Sequence, residues 1–367
     1  SFTALNTTDL PIIATITVTP HYTANGITCD GLPQTFTITV NPTPRLTSSL
    51  TPVTICNNTL FTYQPTSGTP GATFNWTRTS QTFITPASGT GSGNISETLS
   101  NSSLNTRTVT YSFSITANGC TNSSAGSIVV TVNPTPSLLG ALSYSHCSGN
   151  IFNYNPTLRG ATHFTWVRNT VAGISEPGSS GTGDPNEVLT NTTNVTVQVV
   201  YVVTAWMGAC PSPTNYSITV NVIPRSVLTS TLTPPDICSG STFSYLPTSN
   251  TNSNTIYSWT RPSVSGITPV GPTSGTGNPN EQLVNSTSAP ITVTYRYTLT
   301  YSGCTNPDTF NVMVVVKPMP ILTSTLTPPA ICSGTTFNYT PMSNISGTTF
   351  SWSRASITGI LPLGTTG

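Results

Sequence analysis

The chain has 367 residues, of which 5% are charged, with ten Lys or Arg against nine Asp or Glu and a formal net charge of +1. An ordinary soluble domain carries about 25% charged residues, so hydroxyl and amide side chains must dominate this surface. The near-neutral balance offers no basic patch for a phosphate backbone, and the longest apolar runs fall far short of the roughly 20 residues of a spanning helix. We therefore expect neither nucleic-acid binding nor membrane insertion.

One sequence pattern occurs four times. Its clearest copy is "ICSGTTFNYTPMSNISGTTFSWSR" at 331–354, and its leading cysteines are Cys56, Cys147, Cys238 and Cys332. Their separations of 91, 91 and 94 residues suit a small β-sandwich of roughly 100 residues. The pattern predicts five segments: a C-terminal half-repeat (1–44, the head segment), repeat 1 (45–136), repeat 2 (137–224), repeat 3 (225–320) and an N-terminal half-repeat (321–367, the tail segment).

Aromatic residues mark the early strands of each repeat. In the second strand a Phe and a Tyr stand two residues apart and so share one face, as Phe61 and Tyr63 do. The third strand carries a Trp in every copy: Trp76, Trp166, Trp259 and Trp352. Immunoglobulin-like sandwiches use such a Trp as a central core filler, and we favour this interpretation over ligand stacking.

An Arg follows each Trp by two residues, and an acidic residue follows that Arg by 19 or 20. The pairs are Arg78 and Glu97, Arg168 and Glu187, and Arg261 and Glu281. In a chain with so few charges this constant spacing predicts an ion pair within each repeat. General acid–base chemistry would need a further carboxylate or His in a cleft, and no His holds a repeated position. We therefore expect no catalytic, metal or cofactor site, and "SGTG" at 88–91, 180–183 and 274–277 is interpreted as a turn.

The last strands of each repeat form a predicted hairpin. Tyr111, Tyr201 and Tyr295 precede the hairpin cysteines Cys120, Cys210 and Cys304 by nine residues each. About seven short strands per repeat predict an all-β fold of tandem immunoglobulin-like, Greek-key sandwiches, arranged as a linear rod with proline-rich joints such as "NPTP".

The eight cysteines indicate an oxidising, extracellular setting, with buried free thiols as the alternative. Leading and hairpin cysteines should lie at opposite ends of one sandwich, whereas a head-to-tail stack brings the bottom of one repeat against the top of the next. Because bridged Cα atoms lie within about 7 Å, this favours bridges between repeats, Cys56–Cys210 and Cys147–Cys304. Pairing within each repeat remains the nearest alternative.

The phrases "ICSGTTFNY", "SWTR", "GTGNPNEQL", "TANGCT" and "VTVNPTP" resemble the PKD-like, immunoglobulin-like repeats of very large cell-surface proteins of Bacteroidota. The resemblance covers essentially the whole chain. It implies type IX secretion, attachment at the bacterial cell surface, and roles as adhesins, gliding-motility filaments or spacers.

These expectations define a non-enzymatic extracellular stalk or filament of a surface adhesin. Its partners would be neighbouring copies of itself or adjacent repeats in a longer chain, or else a surface glycan or an abiotic surface. Two alternatives stay open. One is a glycan-binding module, for which Trp206 and Tyr301 are the candidate contacts. The other is a polymer in which half-repeats of separate chains exchange strands, as opposed to a window onto one longer chain.

Overall fold

The computed structural model describes residues 1–251 and 254–367. Over these two ranges the chain forms β-strands, turns and loops, without a helix. These residues therefore contain no helix that is long and apolar enough to cross a membrane. The predicted all-β class of tandem sandwiches is confirmed.

Repeat 1 is a two-layer sandwich. Its strands are β5 (Val53–Ile55), β6 (Thr59–Tyr63), β7 (Thr73–Arg78), β8 (Ile84–Thr85), β9 (Gly89–Ser92), β10 (Ile95–Asn101), β11 (Arg107–Ala117) and β12 (Cys120–Val132). One layer has the order β5-β12-β11-β7-β9, and the other has the order β6-β10-β8. Neighbouring strands are antiparallel except β5, which runs parallel to β12. Alternate residues of β11 are buried, as a strand with one face against a core requires.

The larger layer of repeat 2 closely matches that of repeat 1, whereas its smaller layer is divided into shorter strands. Its strands are β13 (Ser137–Leu139), β14 (Ser143–Cys147), β15 (Asn150–Phe152), β16 (Thr157–Arg159), β17 (His163–Arg168), β18 (Ser179–Thr182), β19 (Glu187–Leu189), β20 (Val197–Met207), β21 (Cys210–Pro211) and β22 (Tyr216–Ile223). The larger sheet has the order β14-β22-β20-β17-β18, with β21 beside β20. The pairs β15-β19 and β13-β16 lie outside it.

Repeat 3 has the same plan. Its strands are β23 (Ile237–Cys238), β24 (Thr242–Phe243), β25 (Ile256–Arg261), β26 (Ile267–Thr268), β27 (Thr273–Thr276), β28 (Glu281–Gln282), β29 (Val284–Asn285), β30 (Ile291–Tyr301), β31 (Cys304–Thr305) and β32 (Phe310–Lys317). The larger sheet has the order β23-β32-β30-β25-β27, with β31 beside β30, and the pairs β24-β28 and β26-β29 accompany it. Each of the three repeats has its own buried apolar cluster.

The head and tail segments contain fewer paired strands. In the head segment β1 (Ile12–Val18) pairs with β4 (Gln34–Val40), and β2 (His21–Ala24) forms a hairpin with β3 (Ile27–Asp30). In the tail segment β33 (Ser353–Arg354) pairs with β34 (Thr365–Thr366). Three of the expected core tryptophans are 5–7% exposed, but Trp352 is 58% exposed. Among the described residues no second sheet covers the segment that carries Trp352, so the expected core role of Trp352 stays a prediction.

The "SGTG" segments are edge strands and not turns. In repeat 1 the segment forms β9, in which Gly91 lies opposite Trp76 of β7. A Cβ atom at Gly91 would lie 2.5 Å from Cζ2 of that indole ring. The same close approach occurs at Gly181 and at Gly275, where the distances would be 2.9 and 2.8 Å. The glycines are therefore required by contact with the core Trp, which is a reason that the turn interpretation missed.

Candidate functional site

An Arg–Glu–Tyr cluster joins the two layers of each complete repeat, and we call it the inter-sheet clamp. In repeat 1 the Arg78 and Tyr111 side chains come from the larger sheet, where the two residues are directly paired. Glu97 comes from the smaller sheet, where it pairs with Phe61. The equivalent clamps are Arg168–Glu187–Tyr201 in repeat 2 and Arg261–Glu281–Tyr295 in repeat 3.

The clamp distances are nearly the same in all three repeats. The Arg Nε lies 3.1, 2.9 and 2.9 Å from the Glu Oε2 in repeats 1, 2 and 3. The Tyr hydroxyl donates to the same carboxylate oxygen at 2.5, 2.7 and 2.5 Å. The Arg side chains are 0–1% exposed, and their remaining N–H groups donate to loop carbonyls such as Pro86 O and Ala87 O. A buried guanidinium is thus neutralised by one carboxylate and solvated by the backbone.

Burial and hydrogen bonding act in opposite directions on the pKa of the clamp carboxyls of repeats 2 and 3. Burial by itself would raise the pKa of Glu187, but hydrogen bonds from Arg168, Ser179 and Tyr201 lower that pKa below its ordinary value. The pKa of Glu281 is lowered in the same way. Burial, followed by the hydrogen bond to the carboxylate, strongly raises the pKa of Tyr201. In repeats 2 and 3 these pKa shifts favour an ionised carboxylate and a protonated tyrosine, which is the combination that the hydrogen bond between them needs.

A second repeated polar residue was missed by the sequence analysis. Asn101 donates through Nδ2 to Asn105 O at 2.8 Å and to Val132 O at 2.9 Å, which fastens the loop before β11 to the end of β12. Asn191 and Asn285 make the same two contacts in repeats 2 and 3. The signal is present in the sequence, because each Asn follows the clamp Glu by four residues.

Two disulfides connect successive repeats. Cys56 of repeat 1 is bonded to Cys210 of repeat 2, with Cα atoms 5.4 Å apart. Cys147 of repeat 2 is bonded to Cys304 of repeat 3, with Cα atoms 5.5 Å apart. In both cases the leading cysteine of one repeat meets the hairpin cysteine of the next, so within-repeat pairing is not used.

Apolar and polar contacts surround these bridges, and we call each bridge with its contacts a joint. At the joint of repeats 2 and 3, Cys147 and Ile223 pack against Tyr301 and Cys304. Arg225 also donates to Ser148 O at 3.2 Å, beside the leading cysteine. At the joint of repeats 1 and 2, Asn133 Nδ2 donates to Met207 O at 3.3 Å. Beside this bridge, but within repeat 1, Asn57 Nδ2 donates to Thr135 Oγ1 at 2.5 Å. Each bridge is therefore part of a packed contact between repeats.

The two candidate glycan contacts, Trp206 and Tyr301, lie in different environments. Tyr301 is 8% exposed within the joint of repeats 2 and 3. Trp206 is partly buried, stacks on His163 with ring centroids 6.3 Å apart, and donates through Nε1 to Thr165 Oγ1 at 2.9 Å. In residues 1–251 and 254–367, no group of three His, Cys, Asp or Glu side chains is arranged to hold a metal ion.

Residues 53–136 and 235–320 match the family model for the PKD-like domain. Repeats 1 and 3 are therefore similar to the PKD-like domain. The matched residues make up a little under half of the chain, and they fall in repeats 1 and 3. No curated protein sequence matches the chain.

Several solved structures of tandem immunoglobulin-like domains are similar to the chain at low identity. The I-band fragment I67–I69 of titin is 10% identical, with a TM-score of 0.36 over 75% of this chain and 98% of that one. The three N-terminal domains of the outer capsid protein Hoc of bacteriophage RB49 are 12% identical, with a TM-score of 0.33 over 76% and 99%. The insect immune protein hemolin is 11% identical, with a TM-score of 0.29 over 77% and 79%. No function follows from likenesses at these scores.

Proposed function

We propose that this chain is a non-enzymatic, extracellular repeat region that forms the stalk or filament of a bacterial cell-surface adhesin. The observation that carries this proposal is the pair of disulfides between successive repeats, Cys56–Cys210 and Cys147–Cys304. A covalent bridge at each joint limits how far neighbouring sandwiches can rotate, which a stalk requires. Disulfides persist in oxidising compartments, so the bridges also support a location outside the cytoplasm.

The sparse charge supports the same function. Only 5% of the residues are charged, so long-range electrostatic repulsion between parallel stalks is weak and opposes side-by-side packing very little. The PKD-like match of repeats 1 and 3, together with the resemblance to repeats of Bacteroidota surface proteins, supports placement on a bacterial cell. Secretion by the type IX route and a part in gliding motility belong to this proposal through the resemblance alone.

The two disulfides overlap along the chain, and this overlap has a mechanical consequence. The loop closed by Cys56 and Cys210 contains Cys147, and the loop closed by Cys147 and Cys304 contains Cys210. The shortest covalent path between residues 1 and 367 follows residues 1–56, crosses the first disulfide to Cys210, runs back along the chain to Cys147, and crosses the second disulfide to reach residues 304–367. This path contains about half of the residues of the chain. A pulled oxidised chain would therefore resist extension long before it reached its full length.

Force spectroscopy tests this proposal directly. Since an extended residue spans at most about 3.3–3.6 Å, the reduced chain held at residues 1 and 367 should extend about twice as far as the oxidised chain. The Cys56→Ser variant, which opens one loop only, should give an intermediate length. Equal contour lengths before and after reduction would contradict the proposal. Immunogold labelling of intact bacterial cells expressing the native protein then tests the surface location, for which labelling only after permeabilisation would be the contrary result.

A further inference from the structure

The outward face of the larger sheet of repeat 2 is apolar where the other two repeats are polar. Val167, Val200 and Val202 lie on this face and are 51%, 37% and 38% exposed, and we call them the valine strip. The equivalent residues are Thr77, Thr110 and Ser112 in repeat 1, and Thr260, Thr294 and Arg296 in repeat 3. Thr is β-branched like Val and suits a strand equally well, so strand formation does not require valine at these positions.

Two parallel aromatic rings continue the valine strip toward the joint of repeats 1 and 2. His163 of β17 and Trp206 of β20 are directly paired across the two strands. Their rings are stacked, with an interplanar angle of 8° and centroids 6.3 Å apart, and we call them the Trp206–His163 platform. The residues at the same two positions are Thr73 and Thr116 in repeat 1, and Ile256 and Thr300 in repeat 3. Neither the strip nor the platform is therefore part of the common plan of the repeats.

The platform is held in place without a ligand. The Trp206 indole donates through Nε1 to Thr165 Oγ1 at 2.9 Å, which fixes the ring against β17. The neighbouring backbone is fixed as well, since Thr162 N donates to Trp206 O at 2.7 Å and Asn133 Nδ2 donates to Met207 O at 3.3 Å. A ligand that stacks on these rings would have no flexible side chain to immobilise, so little binding free energy would be lost to ordering.

Hydroxyl and amide groups border the platform. Thr204 Oγ1 donates to Asn215 Oδ1 at 2.8 Å, and Asn215 is exposed. The Nδ2 group of Asn215 makes no hydrogen bond to another described residue, so it is available as a donor. The face thus combines a flat apolar surface with polar groups at its border.

The charge of this face limits the class of ligand. The outward-facing residues of β17, β20 and β22 are Val, Thr, Ser, Asn, Gln, Trp and His, without an Asp, Glu, Lys or Arg among them. These strands offer no ion pair to a phosphate or a carboxylate. The electrostatic complement of such a face is a neutral ligand.

The size of the face argues against a protein partner. The strip and the platform extend over seven residues of β20 and, with their border, over three strands, which is roughly 20 Å by 14 Å. The resulting area of about 300 Å² is well below the roughly 800 Å² that each partner contributes to a stable protein interface. A narrow chain with flat apolar faces and hydroxyl edges fits this area better.

We infer that this face is a binding site for a neutral polysaccharide, with one sugar ring stacked on the Trp206–His163 platform and the sugar chain running along the valine strip. The axial C–H groups of a pyranose are weakly positive and pack on the negative face of an indole ring. The equatorial hydroxyls then lie at the edge of the ring, where Asn215 and Thr165 can exchange hydrogen bonds with them. The site adds a binding function to the proposed stalk and does not depend on how the stalk bears force.

The first experiment is electrophoresis of the oxidised full chain in native gels that contain hydroxyethyl cellulose, dextran, starch or yeast mannan. We expect at least one of these neutral polysaccharides to retard the protein. Trp206→Thr should weaken the affinity about tenfold, because it removes the stacking surface. Repeats 1 and 3 carry Thr at this position, so repeat 2 should still fold, which a melting curve checks. The control Thr300→Ala, at the equivalent position of repeat 3, should leave the retardation unchanged.

A second variant tests the path along the valine strip. Val202→Arg gives repeat 2 the residue that repeat 3 has at this position, so the strand should be preserved. The longer charged side chain should obstruct the sugar chain and weaken retardation several-fold. Unchanged retardation would overturn the assigned path.

Indole N–H signals in a ¹⁵N spectrum show where the sugar binds. The chain has five Trp residues, and the signal that is missing from the Trp206→Thr variant belongs to Trp206. A short oligosaccharide of the retarding polysaccharide should shift this signal. The signals of the buried residues Trp76, Trp166 and Trp259 should stay in place.

The inference would be overturned if none of the four polysaccharides retarded the protein, or if retardation survived Trp206→Thr. Retardation by carboxymethyl cellulose alone would overturn it too, because the ligand would then be acidic. Self-association in sedimentation that Trp206→Thr abolishes, without polysaccharide binding, would instead assign the face to contact between copies of this chain. None of these outcomes alters the extension expected in force spectroscopy, so the site can fail while the proposed stalk function stands.

Discussion

The clamp of repeat 3 offers the sharpest test of what holds these sandwiches together. The Glu281→Ala substitution removes the carboxylate that accepts from Arg261 and Tyr295. The guanidinium, which is 0% exposed, is then left with the carbonyls of Pro262 and Pro269 as acceptors. The substitution therefore leaves a buried positive charge without its counter-ion.

The expected cost follows from that unpaired charge. Removing one partner of a buried ion pair costs about 3–5 kcal/mol, whereas replacing both partners by apolar residues is often neutral or stabilising. In a unit of this size each kcal/mol lowers the melting temperature by about 4–8 °C, so the Glu281→Ala repeat should melt at least about 12 °C lower. The Arg261→Met, Glu281→Leu double variant should recover most of the loss. The exposed control Asp308→Ala should change stability by no more than about 0.5 kcal/mol.

Hydrogen exchange measured by mass spectrometry is the appropriate assay, because it reports on each repeat separately. Peptides covering Ile291–Tyr301 should lose protection in the Glu281→Ala variant, while the equivalent peptides of repeat 1 act as an internal control. The reasoning would be refuted if Glu281→Ala cost no more than Asp308→Ala. It would also be refuted if the double variant were as unstable as the single one, since the unpaired charge would then not be the cause.

Three further predictions follow from the same contacts. The pKa values of Glu187 and Glu281 are lower in the folded than in the unfolded chain. Their contribution to stability is therefore complete above the ordinary pKa of 4.5 and is lost as the pH falls through the lowered pKa. Urea unfolding between pH 7 and pH 3 should show this loss of stability, and Glu281→Gln should make the stability of repeat 3 less dependent on pH. Gly181→Ala would place a Cβ 2.9 Å from Cζ2 of Trp166, and we expect an overpacking cost of about 1–3 kcal/mol in thermal unfolding, with an unchanged melting curve as the contrary result. Cys56→Ser should free the joint of repeats 1 and 2 while leaving each core intact, so spin-label distances across that joint should broaden and those within repeat 1 should not.

The sequence by itself was sufficient for features that depend on residues recurring at a fixed spacing. Alternating apolar residues such as those of β11 predict a strand with one buried face. The constant separation of Arg78 and Glu97 in a chain with so few charges pointed to a contact, and the structure contains that ion pair. Because the cysteines recur at fixed positions of the repeat, only a few disulfide pairings fitted the sequence. Among these, the sequence favoured the bridges between repeats, which the structure contains.

Only the tertiary structure decided the features that depend on what lies across from a residue. The glycines of β9 look like turn residues until Trp76 is seen against them, because the need for a missing Cβ comes from a neighbouring strand. Trp259 is buried because the opposing layer of repeat 3 covers it, and local sequence does not specify that layer. Asn101 likewise gains its role only when the end of β12 lies beside it. Short polar strands carry too little local information to specify their partners, so their function is fixed by the sheet in which they pair.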